Sequence, residues 1–120
     1  MRRKMMFGKI HRAVVTDCNV DYVGSITLDP HLMEAAEILP NEQVHVLDVD
    51  NGQRFVTYAI EGTPGGGEVV VNGAAAHLVD PGHRVIVIAY VEMEDEEARV
   101  HTPRVVRVDE ANRPVAPVTA

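Results

Sequence analysis

Apolar and polar residues alternate with a period of two along most of this chain, in short valine- and isoleucine-rich runs broken by Gly, Pro, Asn and Asp. Such alternation turns every second side chain toward one face of an extended backbone, so it predicts strands buried on one side. Strands are expected at Lys9–Thr16, Gln43–Val49, Phe55–Ile60, Glu68–Asn72, Arg84–Val91 and Arg104–Val108, with a further one at Gly24–Leu28. Asn51-Gly52 lies between two of these runs and predicts a tight hairpin turn, in which both central residues need positive φ. One helix is well signalled: Asp29 can cap it, Pro30 suits its first position, and Leu32, Met33 and Ala36 fall on one side before an end near Leu39-Pro40. Shorter helical turns are expected at Ala74–Leu78 and Asp95–Arg99. Thr63–Gly67 and Asp80–Gly82 read as turns, and from about Asp109 the chain becomes polar and then proline-containing, the mark of a mobile tail over 109–120. Many short strands with few helices predict a mainly β fold, a barrel or a sandwich.

Composition narrows the function. A length of 120 residues fits one domain, and a formal net charge of −7 argues against nucleic acid as a partner, because phosphate binding needs a basic face. An anionic ligand would approach against that overall field, so its pocket needs clustered cations; Lys9, His11, Arg12 and Arg54 are the candidates. No apolar run reaches the roughly 20 residues that span a bilayer, and the patch after Met1-Arg2-Arg3-Lys4 is too short for a signal peptide. With the single Cys18 unable to form an internal disulfide, a cytoplasmic protein with no membrane association is expected. His31, His45, His77, His83 and His101 show no zinc spacing, so no metal is expected.

Asp21-Tyr22-Val23-Gly24-Ser25 reads by itself as an ordinary turn with a small polar residue after a glycine. Other segments change that reading. Gly8-Lys9-Ile10-His11-Arg12, Tyr22-Val23-Gly24-Ser25, the run from Asn51 to Ile60, Val71-Asn72-Gly73-Ala74-Ala75-Ala76-His77 and Glu94-Asp95-Glu96-Glu97-Ala98-Arg99 follow in register and span nearly the whole chain up to about Val108. In these segments the chain resembles the bacterial pyruvoyl-dependent aspartate 1-decarboxylases. The resemblance implies a double-psi β-barrel assembled as a homotetramer, making β-alanine from L-aspartate for pantothenate and coenzyme A. It also implies a precursor cut by its own chemistry into residues 1–24 and 25–120, in some members with the help of a maturation factor.

The chemistry of that cut can be argued from the residues. A serine hydroxyl can attack the carbonyl before it and turn the peptide bond into an ester, and glycine at that carbonyl offers least obstruction. β-Elimination then frees a chain ending at Gly24, and the dehydroalanine left at position 25 becomes a pyruvoyl group on hydrolysis with loss of ammonia. The resulting ketone can condense with the amine of aspartate as a Schiff base and draw in the electrons of a departing carboxylate.

The resemblance makes Tyr58 the proton donor to Cα, a role suited to a neutral phenol. It gives Arg54, whose planar fork suits a carboxylate, and Lys9 to the substrate. Thr57 is implied in both substrate contact and processing, His11 and Tyr22 lie near the processing site, and Asn72, Gly73, Ala74 and Ala75 border the substrate. Strand parity puts Arg54 and Tyr58 on one face and Thr57 on the other. Two rival readings are a barrel of the same ancestry that never matures and acts as a binding module, and a pyruvoyl decarboxylase for another amino acid. The preference for aspartate over glutamate rests on the resemblance.

Overall fold

A computed structural model describes residues 1–119. In chain order the elements are β1 (Arg2–Val14), β2 (Asp17–Asn19), β3 (Ser25–Leu28), α1 (Pro30–Ala36), β4 (Gln43–Asp48) and β5 (Arg54–Glu61). There follow β6 (Val69–Asn72), a 3-10 turn at Gly73–His77, β7 (Arg84–Glu94), α2 (Asp95–Arg99), β8 (Arg104–Val108) and β9 (Pro114–Thr119). The mainly β expectation holds, with one short helix and minor helical turns at both anticipated places.

The strands form one sheet in the order β2-β6-β3-β5-β4-β7-β1-β8-β9. Only Val15 and Thr16 separate β1 from β2, yet β1 lies between β7 and β8 while β2 lies beyond β6. The backbone itself therefore bends the sheet around. At the crossing Thr16 N donates to Val69 O at 2.8 Å, and Val69 N donates to Thr16 Oγ1 at 3.0 Å. The result is a barrel-like curl joined at this seam by local bonds, without a continuous closing ladder among the described residues.

The alternating strands point Ile10, Ile26, Leu28, Val44, Val46, Val69, Val71, Val85, Val87 and Val106 into the interior, all fully buried. Helix α1 adds Leu32, Met33 and Ala36 to that core. Its cap is as anticipated, with His31 N donating to Asp29 Oδ1 at 2.9 Å. The other Asp29 contacts, from Gly65 N and Gly67 N, tie the glycine-rich loop to the same carboxylate. These backbone donors hold its pKa below the ordinary value against the opposing effect of burial, which is the largest single influence.

Several expectations are corrected. The helix stops at Ala36 because Glu37 enters the left-handed region at φ 58° and its N–H turns back to the Glu34 and Met33 carbonyls. Strand β1 begins at Arg2, since its charged start pairs with the end of β7, where Arg2 meets Glu94 at 2.9 Å and Arg3 meets Asp95. The Asn51-Gly52 hairpin joins the anticipated strands, but its loop runs over residues 49–53 and only Gly52 has positive φ. The buried Asp48 carboxylate captures Asp50 N at 2.8 Å and Asn51 N at 3.3 Å, which organises a wider turn.

From Asp109 the chain, expected as a mobile tail, turns back onto the sheet over the described residues. Asn112 N donates to Asp109 O at 3.0 Å, and β9 then returns antiparallel to β8. The Asn112 side chain, 1% exposed, accepts from Val14 N at 2.8 Å and donates to Val14 O at 2.8 Å and Gly67 O at 2.9 Å. A single polar side chain thus satisfies three backbone groups from two distant segments.

Candidate active site

Ser25 is the chain's only serine. The preceding loop is open to solvent, with Val23 69% exposed, and the chain then drops into β3 so that Ser25 is 1% exposed. Burial would strand the hydroxyl without partners, and two are supplied. Ser25 Oγ donates to Val23 O at 2.9 Å and accepts from Asn72 Nδ2 at 3.0 Å. Asn72 reaches it because β3 and β6 are antiparallel and pair Ser25 with Asn72 directly. The oxygen's proton and one lone pair are thereby committed, leaving the second lone pair for other chemistry.

The small-residue segment after Asn72 also has a defined role. A Cβ at Gly73 would stand 2.6 Å from Gly24 Cα and 2.9 Å from Gly24 N, and Gly73 takes φ 77°. Glycine is required there for both space and backbone conformation. At Gly24 an added Cβ would meet no atom within 4 Å, so packing within this chain does not demand glycine at that position. The close approach therefore belongs to position 73. The 3-10 turn that Gly73 opens leaves Ala74 exposed and Ala75 half-buried beside this junction. Tyr22 lies in the open loop, 52% exposed, with its N–H donating to Asn19 O at 3.4 Å.

On the other side of β3, Ile26 pairs in parallel with Ala59 of β5, both with side chains in the core. Ser25 and Tyr58 each come one residue before these partners in their strands. Tyr58 takes the outward face with Ser25, and Thr57 the opposite one, as strand parity requires. Arg54 shares the Tyr58 face and lies 3.3 Å from His45 Nδ1 through Nη1. His45 in turn sets its ring edge against Tyr90, with centroids 4.9 Å apart.

Lys9 and His11 lie elsewhere in the strand order. Ile88 of β7 pairs with both Lys9 and His45, so Lys9 shares the outer face toward which Arg54 reaches. Strand β1 is nevertheless four places from β3 in the strand order. One chain thus places both cations on one surface. His11 pairs with Arg107 of β8, and its buried Nδ1 has no hydrogen-bond partner among the described residues. Burial, followed by the charges of Lys9, Arg12 and Arg107, lowers its pKa and keeps the ring neutral at pH 7.

Sequence reasoning missed two groupings. Thr27 Oγ1 accepts from Asn72 Nδ2 at 2.9 Å, a contact that no motif signals. Asp48, Asp50 and His83 also converge, with possible ligand atoms within 4.8 Å of one another, although the histidine spacing gives no hint of it. Their oxygens already serve the fold: Asp48 Oδ2 meets His83 Nδ1 at 2.7 Å, and Asp50 Oδ2 accepts from Arg84 N at 2.8 Å. The grouping clasps the β4–β5 turn to the start of β7.

A curled β domain thus grips its one serine behind an open loop and displays cations on an outer face, the frame of a small barrel-like protein. Residues 1–115 match the family model described as aspartate decarboxylase, and the chain belongs to that family. It is 57% identical over 115 residues to the aspartate 1-decarboxylase of Thermoanaerobacter pseudethanolicus (strain ATCC 33223 / 39E), a match covering 96% of this chain and 98% of the relative. The resemblance read from separate segments thus extends over nearly the full length of both chains.

Proposed function

We propose that this protein decarboxylates L-aspartate to β-alanine and CO2, supplying pantothenate synthesis, after cutting itself between Gly24 and Ser25. The observation that carries the reading is the Gly24–Ser25 junction: a solitary serine, buried and oriented by Asn72 and the Val23 carbonyl, with its neighbouring glycine pressed against Gly73. The 57% identity to an aspartate 1-decarboxylase names the chemistry such a junction serves.

A pyruvoyl group formed from Ser25 would supply an electrophilic ketone that captures an amine and accepts the electrons of a leaving carboxylate. The residues present fit it. Position 25 is shielded from water, and Gly73 leaves the backbone room that a side chain would fill. Before the cut, the free lone pair of Ser25 Oγ is the nucleophile, and Thr57 of β5 supplies a hydroxyl to the processing step. After it, Tyr58 keeps a phenolic proton on the Ser25 face for Cα, while Arg54 and Lys9 bind the carboxylate left on the substrate. Asn72, Gly73, Ala74 and Ala75 line the approach, Tyr22 supports the processing region from the preceding loop, and His11, on β1, would serve it from another protomer.

The separation of β1 from β3 in the strand order favours a homotetramer, in which the outer sheet face of one protomer completes the junction of another. No helix is long and apolar enough to cross a membrane, and a cytoplasmic location suits a biosynthetic role of this kind. Intact-mass measurement of the purified protein tests the reading. Two chains meeting at Gly24/Ser25, the larger lacking an ammonia, with CO2 released from aspartate and not from glutamate, are expected. A persistently single chain that releases no CO2 would overturn it.

A further inference from the structure

We infer that Thr27 is a positioning residue for the self-cleavage step, acting through Asn72 on the Ser25 hydroxyl. This role rests on the reading of Ser25 as the nucleophile that cuts the chain.

The amide group of Asn72 carries two N–H bonds on one nitrogen, and both have acceptors: Ser25 Oγ at 3.0 Å and Thr27 Oγ1 at 2.9 Å. An asparagine amide can turn over by 180° and offer its oxygen instead. Ser25 opposes that turn because its single proton is given to Val23 O, so it can meet Asn72 only as an acceptor. The Thr27 contact adds the constraint that Ser25 cannot provide, since one bond leaves the amide free to swing about it while two fix its plane. Strand geometry makes this possible: Thr27 is two residues beyond Ser25 on the same face of β3, and Asn72 lies directly opposite Ser25 on β6.

The orientation of Asn72 decides which lone pair of Ser25 Oγ remains unengaged. In the step itself that pair forms the bond to the Gly24 carbonyl carbon, the Gly24 C–Ser25 N bond breaks, and the hydroxyl proton ends on the Ser25 nitrogen. The product is an ester and a free amine, with no oxidant or reductant needed. A swinging Asn72 lets the hydroxyl rotate away from this alignment, and a 1 Å misplacement at a reacting centre is enough to cost rate. Thr27 touches neither the bond that forms nor the one that breaks.

The test compares Thr27→Val, which keeps the shape and removes the acceptor, with Thr27→Ser, which keeps the acceptor and removes the methyl group. The appearance of the chain ending at Gly24 is followed by mass spectrometry. Thr27→Val is expected to cut about tenfold or more slowly, and Thr27→Ser within about threefold of the native rate. Equal slowing by both variants would make Thr27 a packing residue and overturn the inference. So would a Thr27→Val chain that cuts at the native rate. A native chain that never cuts removes the self-cleavage reading and this role together, whereas a native chain that cuts beside an unaffected Thr27→Val removes only the role.

Solvent exchange of the Asn72 side-chain protons, measured by NMR in a Ser25→Ala background that cannot cut, gives a readout independent of rate. Adding Thr27→Val is expected to speed that exchange about tenfold or more, and no change would overturn the inference.

Discussion

The junction around Ser25 and the outer face around Arg54 solve opposite problems. At the junction every polar group named is partnered inside one chain: Ser25 Oγ, Asn72 Nδ2 and Thr27 Oγ1 form a closed set, and Gly73 removes the side chain that would push it apart. On the outer face Arg54 has, among the described residues, only a histidine nitrogen at 3.3 Å, and neither Lys9 nor Tyr58 has a side-chain hydrogen bond to any of them. On the reading proposed above, the junction acts on its own backbone and so needs its geometry before any ligand arrives. On the same reading the outer face receives a free amino acid, and uncommitted donors let it bind without first breaking internal bonds.

That contrast predicts separable losses. Ser25→Ala should have the largest effect, abolishing both the cut and CO2 release; mass spectrometry and a CO2 assay read the two, and retention of either breaks the assignment. Tyr58→Phe belongs to the second region, and should leave the cut intact while turnover falls by about 10²–10⁴-fold. Normal turnover would remove Tyr58 from the mechanism, and a failed cut would blur the two regions. Gly73→Ala strains the junction, costing about 1–3 kcal/mol for the forced φ alone. A lower Tm and a slower cut are expected together, and a fully stable, fast-cutting variant would show that the approach to Gly24 is dispensable.

Arg54→Gln should raise KM for aspartate about tenfold with the cut unchanged, and an unchanged KM would move carboxylate binding elsewhere. The smallest effect concerns His83, which lies in neither region. Its hydrogen bond to Asp48, then the Asp48, Asp50 and Asp80 charges, raise its pKa against the opposing pull of burial. The protonated ring therefore stabilises the fold fully below the ordinary value of about 6.5, and that contribution disappears as pH rises through the higher folded value. The Tm gap between the native chain and His83→Gln should be widest near pH 6 and narrow by pH 9. A gap that grows with pH would reverse the assignment.

Strands were the most legible part of this chain, because valine-rich alternation such as Val85, Val87 and Ala89 against Arg84, Ile86 and Tyr90 reports a one-sided core directly. The first residues of β1 were not legible, since Arg2-Arg3-Lys4 has no apolar period and is held by cross-strand charge pairs. The return of β9 was hidden for a related reason: a buried Asn112 has the composition of a turn and the function of a core residue. At the site, Asn72-Gly73 was visible as a small, polar-led segment, but the reason for Gly73 lies 49 positions away in sequence, at Gly24. Thr27 and His83 act through single long-range hydrogen bonds, which leave no period and no motif.

Strand β1 is hydrogen-bonded on both sides, to β7 over most of its length and to β8 from Gly8 to His11. Scission after Gly24 would therefore yield something akin to a split protein whose halves never part. The shorter fragment would remain threaded through the middle of the longer one, anchored by Ile10, Ala13 and Val15 and riveted by Asn112. Backbone continuity at one bond is expendable in such an architecture, so a precursor can surrender that bond to chemistry while its shape endures.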